Sequence, residues 1–232
     1  MRRTIGAAAL AATWCAPAPA PVVPLLAAPF GIKVRLRSPH GIALTFDDGP
    51  HPRGTPAVLE ALARANARAT FFLVGEQVER RPSLAAEIAA AGHEIAIHGY
   101  RHTLLLRRTP WELSEDLGRA ADAIGAATGV EPTCYRPPYG VFSTAGLVLV
   151  HRRGWSPLLW SRWGRDWTRH ATPAGIARRA TRELSAGDVV LLHDADFYSS
   201  AGSWAKTAAA LPSILDAARA TGEPLVSASQ ST

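Results

Sequence analysis

The amino-acid sequence predicts an α/β fold in which a parallel sheet curls into a distorted barrel of seven strand and helix units. From about residue 40 onward, short apolar runs rich in β-branched residues alternate with longer alanine-rich stretches of helical period. Polar residues suited to catalysis repeatedly follow the apolar runs, and barrels of this kind carry their active sites at the ends of strands. A chain of 232 residues suits one large domain, so we expect one active site.

The predicted strands are the short apolar runs that contain β-branched residues. They lie at residues 42–46, 69–74, 94–97, 134–136, 156–160, 189–192 and 224–227. Seven units rather than eight predict a barrel that is incomplete or distorted relative to the eight-unit type.

The predicted helices occupy the longer stretches between these runs. They lie at residues 56–66, 82–91, 110–128, 144–152, 173–184 and 204–220. In the first of them, Val58, Leu59 and Leu62 share one face, as a helix packed on a sheet requires. Pro82 opens the second helix and Gly92 closes it, which is the usual punctuation of a helix.

The N-terminus has the pattern of a secretory signal. Met1-Arg2-Arg3 supplies a positive start, and an apolar alanine-rich stretch and an Ala-Pro repeat follow before residue 22. We therefore expect residues 1–30 to be a leader that is cleaved or disordered, and the protein to be secreted or associated with the cell envelope. Two cysteines, Cys15 and Cys134, are too few for a disulfide framework.

The charge of the chain excludes few partners. Lys and Arg exceed Asp and Glu by 25 to 19, which gives a formal charge of +6, and nearly all the excess is arginine. The arginines are spread along the predicted helices and no nucleic-acid-binding motif accompanies them, so no nucleic-acid partner is expected. We interpret the charge as an aid to solubility or as affinity for an acidic wall, with peripheral association with the envelope. The oligomeric state has no signature in the sequence.

Two adjacent carboxylates, Asp47 and Asp48, follow the first predicted strand in the segment Thr-Phe-Asp-Asp-Gly-Pro. On a tight turn their side chains diverge, so one can bind a metal while the other serves as a base. The alternative is a structural turn that caps a helix, because Asp-Gly-Pro is also common turn chemistry.

Two histidines, His98 and His102, follow the third predicted strand at a spacing of one helical turn. Side chains four residues apart on such a turn project from the same side and can hold one cation. Together with Asp48 they would leave open positions for water and substrate, as a catalytic metal site requires. The alternative is one buried hydrogen-bonded histidine and one surface histidine.

Three further residues at strand ends complete the candidate site. His193 follows a strongly apolar run, where it could donate a proton to a leaving amine or have a structural role. Arg136 precedes a rigid Pro-Pro turn and would hold Asp47 ionised if the two were close. Asp166 could orient His193 and raise its pKa, with Trp167 as an aromatic wall beside it.

The order of these motifs resembles the polysaccharide deacetylase family, also called the NodB-homology domain or carbohydrate esterase family four. The resemblance implies a distorted (β/α)7 barrel, here a catalytic domain at residues 40–228, with one divalent metal ion, usually zinc. It implies Asp48, His98 and His102 as metal ligands, Asp47 as the general base and His193 as the general acid. It further implies supporting residues that position these groups or line the substrate pocket, namely Arg136, Asp166, Tyr139, Trp167 and Leu191.

The resemblance implies a metal-dependent hydrolase that removes N-acetyl groups from a polysaccharide containing N-acetylglucosamine, such as peptidoglycan or a chitin-like glycan. A second interpretation keeps the fold but replaces the substrate with a glycolipid or another small amide or ester. A third is a catalytically inactive carbohydrate-binding domain with a basic surface and exposed tryptophans.

Three features depart from the usual family pattern. Gly99 stands where Ser or Thr is common, which predicts that a hydrogen bond bracing the metal loop is absent. Trp163 replaces an earlier aspartate, so that wall of the pocket should be more apolar. With Trp160, Trp167 and Trp204 it could form an aromatic platform for sugars or could pack in the core. The insert at residues 194–199 is expected to shape specificity.

Overall fold

The computed structural model describes residues 12–229, whose centre is one seven-stranded sheet. The strands are β1 (Ala43–Asp47), β2 (Thr70–Leu73), β3 (Glu94–Ile97), β4 (Cys134–Tyr135), β5 (Ser156–Pro157), β6 (Arg162–Trp163) and β7 (Val189–His193). Their order across the sheet is β5-β4-β3-β2-β1-β7-β6, and each neighbouring pair is parallel. The sheet curls into a half-barrel with β5 and β6 at its edges, which confirms the predicted distorted (β/α)7 barrel.

The connections between strands carry the helices. They are α1 (Gly54–Arg64), α2 (Gly75–Arg80), α3 (Pro82–Ala90), α4 (Pro110–Thr128), α5 (Thr144–Arg152), α6 (Pro173–Ala180) and α7 (Ser203–Ala220). Parallel strands need such crossovers, because consecutive strands must begin at the same edge of the sheet.

The core has two layers because side chains alternate between the two faces of each strand. Leu44 and Phe71 belong to the larger apolar cluster, which also takes in the apolar faces of the helices. Their neighbours Ala43 and Phe72 belong to a smaller cluster, which lies inside the curl of the sheet. The strands are therefore buried on both faces, which explains their continuous apolar sequence.

Helix α4 has the clearest end signals of the fold. Thr109 and Glu112 form a capping box, in which the Thr109 side chain accepts from the Glu112 N–H and the Glu112 carboxylate accepts from the Thr109 N–H. Pro110 opens the helix, and Gly129 ends it with a φ of 69°. The predicted bounds of this helix are confirmed.

The structure differs from the predicted elements at several places. Strand β6 lies outside every predicted strand. The run predicted as one strand at 156–160 ends as β5 at Pro157, and Leu158 continues it as an isolated bridge with Lys33, while the Leu158 and Leu159 carbonyls accept from the Arg136 guanidinium. The predicted strand at 224–227 is wrong, and only an isolated bridge between Ile42 and Leu225 forms there. Helix α2 was not predicted, since its six residues are too few to show a helical period.

Residues 12–36 pack against the domain. Ala20 and Ala27 are buried, and the Trp14 indole N–H donates to the Leu106 carbonyl at 3.2 Å. Further along, Lys33 and Leu158 form an isolated parallel β-bridge. The Leu36 N–H donates to the Gly187 carbonyl at 2.9 Å. This segment therefore connects the edge strand β5 to the turn that precedes β7.

The predicted leader overlaps the described chain only in part. Residues 1–11, which contain its positive start and most of its apolar stretch, lie outside the described residues, so the leader stays a prediction. Within residues 12–229, no helix is long and apolar enough to cross a membrane.

Candidate active site

The carboxyl ends of the strands open into one cavity of about 350 Å³. In the sheet register Asp47 at the end of β1 lies beside His193 at the end of β7. The cavity is lined by Asp47, Asp48, His98, His102, Tyr139, Gly140, Trp160, Trp163, Trp167, Leu191, His193, Tyr198 and Ser199. Eight of the ten predicted site residues are in this lining, and the other two, Arg136 and Asp166, contact it from behind.

The two adjacent carboxylates have different partners. Asp48 has a φ of 80°, a left-handed conformation that non-glycine residues rarely adopt and that is found mainly at functional sites. Its Oδ1 lies 3.4 Å from His98 Nε2 and 3.3 Å from His102 Nε2. Asp47 instead accepts a hydrogen bond from Arg136 Nη1 at 2.7 Å. The turn therefore separates the two carboxylates into two chemical environments.

Asp48, His98 and His102 form a candidate metal centre. One ligand atom from each lies within 4.8 Å of the other two. Asp48 Oδ1 is buried and has no hydrogen-bond partner among residues 12–229, although two imidazole nitrogens face it. A buried carboxylate oxygen in that position needs a compensating charge, so this donor set fits a divalent cation.

The electrostatics of the three residues suit metal binding. Burial lowers the pKa of His102 to about 4, so its imidazole is neutral near pH 7, as a metal ligand must be. Burial alone would raise the pKa of Asp48, but the surrounding imidazoles, that of His98 first, hold this pKa below its usual value. The Asp48 side chain is therefore ionised at neutral pH.

Arg136 is completely buried and fixes Asp47. Its Nη1 donates to Asp47 Oδ1 at 2.7 Å and to Thr45 Oγ1 at 2.9 Å. The remaining guanidinium donors bind the Leu158 and Leu159 carbonyls, at 3.2 and 2.8 Å. Because all three guanidinium nitrogens donate hydrogen bonds, the arginine is held in one position. The Asp47 carboxylate that it binds is held with it.

His193 is hydrogen-bonded to a buried aspartate. Its Nδ1 donates to Asp166 Oδ1 at 3.0 Å, and Asp166 Oδ2 accepts from the His193 backbone N–H at 2.7 Å. Thr207 Oγ1 also donates to Asp166, at 2.8 Å. Burial alone would lower the pKa of His193, but the Asp166 charge and hydrogen bond raise it to about 10. The imidazole thus carries a proton at neutral pH.

An apolar wall lies beside His193. Leu191 on β7 and Trp163 on β6 are neighbours in the sheet register, and Trp163 contacts Trp160 and Trp167 with ring centroids 6.0 and 5.5 Å apart. Trp167 meets His193 edge-on at 5.4 Å. The fourth tryptophan, Trp204, lies outside this wall and packs against His51 and Arg53 instead.

Two residues of the site were missed by sequence reasoning. Asp116 on α4 accepts the backbone N–H groups of Tyr100 and Arg101, at 2.8 and 3.2 Å, and so braces the loop between the two histidines. Gly99 has no hydroxyl to brace this loop, as its sequence predicts, and Asp116 supplies hydrogen bonds to the loop from another element. Tyr198, in the insert after His193, stacks on His102. Neither residue has a sequence signal, since both contacts depend on tertiary structure.

Comparisons with known proteins agree with this geometry. Residues 36–155 match the family model described as polysaccharide deacetylase. A peptidoglycan-N-acetylglucosamine deacetylase of Bacillus cereus is 34% identical over 82% of this chain and 86% of its own length. A chitooligosaccharide deacetylase of a Bradyrhizobium species is 38% identical over 66% of this chain and 70% of its own.

A solved structure shares the fold over nearly the whole domain. It is a peptidoglycan N-acetylglucosamine deacetylase in complex with 4-naphthalen-1-yl-N-oxidanyl-benzamide, with a TM-score of 0.81 and 26% sequence identity. The match covers 88% of this chain and 94% of that chain.

Proposed function

The chain belongs to the polysaccharide deacetylase family, and from this premise we propose that it is a metal-dependent hydrolase of N-acetyl groups on a glycan containing N-acetylglucosamine. The observation that carries the proposal is the buried Asp48 oxygen without a hydrogen-bond partner, which faces two imidazole nitrogens. Asp47 and His193 supply a held carboxylate and a protonated imidazole in the same cavity. These are the groups that amide hydrolysis requires.

The proposed cofactor is one zinc ion held by Asp48, His98 and His102. Two imidazoles and one carboxylate are ligands that zinc accepts in catalytic sites, where further positions stay open. A bound zinc ion would polarise the amide carbonyl and lower the pKa of a water molecule.

The proposed roles of the other residues follow from their contacts. Asp47, held by Arg136, accepts a proton from the attacking water. The new carbon–oxygen bond forms as the carbonyl becomes an oxyanion, for which the Tyr139 backbone N–H is the proposed donor. His193 then gives its proton to the sugar nitrogen as the carbon–nitrogen bond breaks, which releases acetate and a free amine.

The cavity also suits the proposed substrate. Leu191 and Trp167 line it beside His193, where they would contact the acetyl methyl group. Trp160 and Trp163 extend the same wall and offer aromatic faces to a sugar ring. The relatives named above act on peptidoglycan and on chitooligosaccharides, so we include both glycans in the proposal.

The proposal includes export to the cell exterior or envelope. Its support is the positive start and apolar stretch of the N-terminus, and the position of peptidoglycan outside the cytoplasmic membrane.

The test is acetate release from N-acetylglucosamine oligomers and from peptidoglycan, with zinc and with chelator. We expect zinc-dependent release that Asp47→Asn abolishes. A matched control is Asp216→Asn, which changes an exposed carboxylate on α7 that pairs with Arg219 of the same helix. Folded, zinc-loaded protein that releases no acetate from either glycan would contradict the proposal.

The apolar wall favours one second candidate, deacylation of a glycolipid or another small amide or ester. Three tryptophans and Leu191 could contact an acyl chain as well as a sugar. The same assay distinguishes the two, because this candidate predicts release from an acylated glycolipid or aryl ester but none from the glycans.

A further inference from the structure

The two candidate histidine ligands are supported in different ways. A metal-binding imidazole usually donates its second N–H to a carbonyl or carboxylate, and this bond fixes the plane of the ring. His98 follows the rule, since its Nδ1 lies 2.8 Å from the Arg136 carbonyl oxygen. His102 does not follow it, because its buried Nδ1 has no hydrogen-bond partner in the part of the chain that the structure describes. Some other contact must set the orientation of His102.

Aromatic rings enclose the His102 imidazole on two sides. The Tyr198 ring lies parallel to it, with centroids 4.2 Å apart and an interplanar angle of 6°. Tyr139 meets it edge-on at 4.6 Å, but Tyr139 is 59% exposed and so is less firmly held. Tyr198 therefore has the larger part in fixing the plane of His102.

The Tyr198 ring is itself fixed at its far end. Its hydroxyl donates to Glu76 Oε1 at 2.8 Å and accepts from Gln77 Nε2 at 3.0 Å. Both partners belong to α2, whose first turn follows β2. The ring thus connects its loop to helix α2.

The loop that carries Tyr198 is closed by its own hydrogen bonds. Asp196 accepts from the Gly202 N–H at 2.6 Å and lies 3.2 Å from His51 Nε2. At the start of the loop, the buried Asp194 accepts a hydrogen bond from the Thr55 hydroxyl. These contacts tie the insert to the turn and helix that follow Asp48.

We propose that Tyr198 is a positioning residue that holds His102 in its metal-binding orientation by ring stacking, in place of a hydrogen bond to Nδ1. The proposal rests on the proposed metal site. It gives the insert after His193 a definite role, which is to deliver one aromatic ring to one ligand.

The test is zinc affinity, measured by competition with a chromophoric chelator. Tyr198→Leu and Tyr198→Met remove the ring, and we expect each to weaken zinc binding by about tenfold or more. Tyr198→Phe keeps the ring and loses only the hydroxyl contacts, so its affinity should stay within about threefold of the wild type. The matched control is Phe197→Leu, because the Phe197 ring packs on His51 and Arg81 and meets the Tyr198 ring edge-on at 6.2 Å, whereas the ring stacked on His102 is that of Tyr198.

A second readout separates positioning from general damage. Thermal unfolding without zinc should give each ring-deleted variant a transition close to that of the wild type, so that the loss of zinc affinity belongs to the metal site and not to the fold. Wild-type zinc affinity in both ring-deleted variants would overturn the inference. An equal loss in Phe197→Leu would overturn it too, since the loop and not the stacking would then be responsible. Failure of the wild type to bind zinc would instead overturn the proposed function on which the inference rests.

Discussion

Replacing Asp166 with asparagine should move the alkaline limit of activity to lower pH. The Asp166 charge and hydrogen bond, followed by the Asp48 and Asp47 charges, raise the pKa of His193 from the ordinary 6.5 to about 10, although burial alone would lower it. This rise in the pKa corresponds to about 5 kcal/mol in favour of the protonated imidazole, because each pKa unit is about 1.4 kcal/mol. A general acid works only while protonated, so activity is present below this pKa and lost as pH rises through it.

The size of the effect at one pH follows from these values. At about pH 8 nearly all of the wild-type His193 carries its proton, whereas a pKa near 6.5 leaves about one molecule in thirty protonated. We therefore expect Asp166→Asn to lower kcat/KM at that pH by about thirtyfold, and by much less near about pH 6.

The assay is kcat/KM for an N-acetylglucosamine oligomer across the pH range at saturating zinc. Thr207→Val is a graded control, because it removes one hydrogen bond to Asp166 and leaves its charge. Unfolding of each variant should be followed as well, since an asparagine cannot accept all the hydrogen bonds that Asp166 accepts. If Asp166→Asn kept the wild-type alkaline limit, either His193 is not the acid or Asp166 does not set its pKa.

Three further changes test the rest of the site. Asp48→Asn removes the anionic ligand, so it should weaken zinc binding by about a hundredfold or more, as measured by calorimetry. A zinc affinity near that of the wild type would exclude Asp48 as a ligand. Arg136→Met should lower the free energy of unfolding, measured in urea, by about 3–5 kcal/mol, since it leaves Asp47 buried without its cation. A decrease below about 1 kcal/mol would contradict the stabilising role of this ion pair. Asp116→Ala removes the acceptor of the Tyr100 N–H, so it should lower the free energy of unfolding by about 1–3 kcal/mol and weaken zinc binding several-fold. Unchanged zinc affinity would show that Asp116 does not brace the loop.

The sequence was sufficient for most of the fold because burial on both faces leaves a strong local signal. Strand β3 and helix α4 lie at their predicted positions, the first as a continuous apolar run and the second between a Pro start and a Gly end. The candidate site could be predicted from the same pattern. Parallel strands bring their carboxyl ends to one edge, so polar residues distant in sequence, such as Asp48 and His193, were expected to meet there.

The sequence was insufficient where a side chain changes the backbone hydrogen bonding of a distant segment. The run at 156–160 has strand composition throughout, yet the Leu158 and Leu159 carbonyls accept from Arg136, and the strand is interrupted. No local pattern records that the arginine lies close enough to form these bonds. The same guanidinium holds Asp47, so one buried side chain joins this segment to the carboxylate at the end of β1.

Gly99 shows why the supporting residues of a site are harder to predict than its ligands. A metal ligand must be a histidine, cysteine or carboxylate, so its identity is visible in the sequence. A hydrogen bond that supports a loop needs only an acceptor close to a backbone N–H, and any neighbouring helix or loop can supply that acceptor. Where the hydroxyl expected after His98 is missing, Asp116 accepts the backbone N–H of Tyr100 from a helix, and Tyr198 stacks on the ring of His102 from a loop. The geometry of the loop therefore has support that its own sequence does not reveal, and the zinc affinities of variants at these two positions measure that support directly.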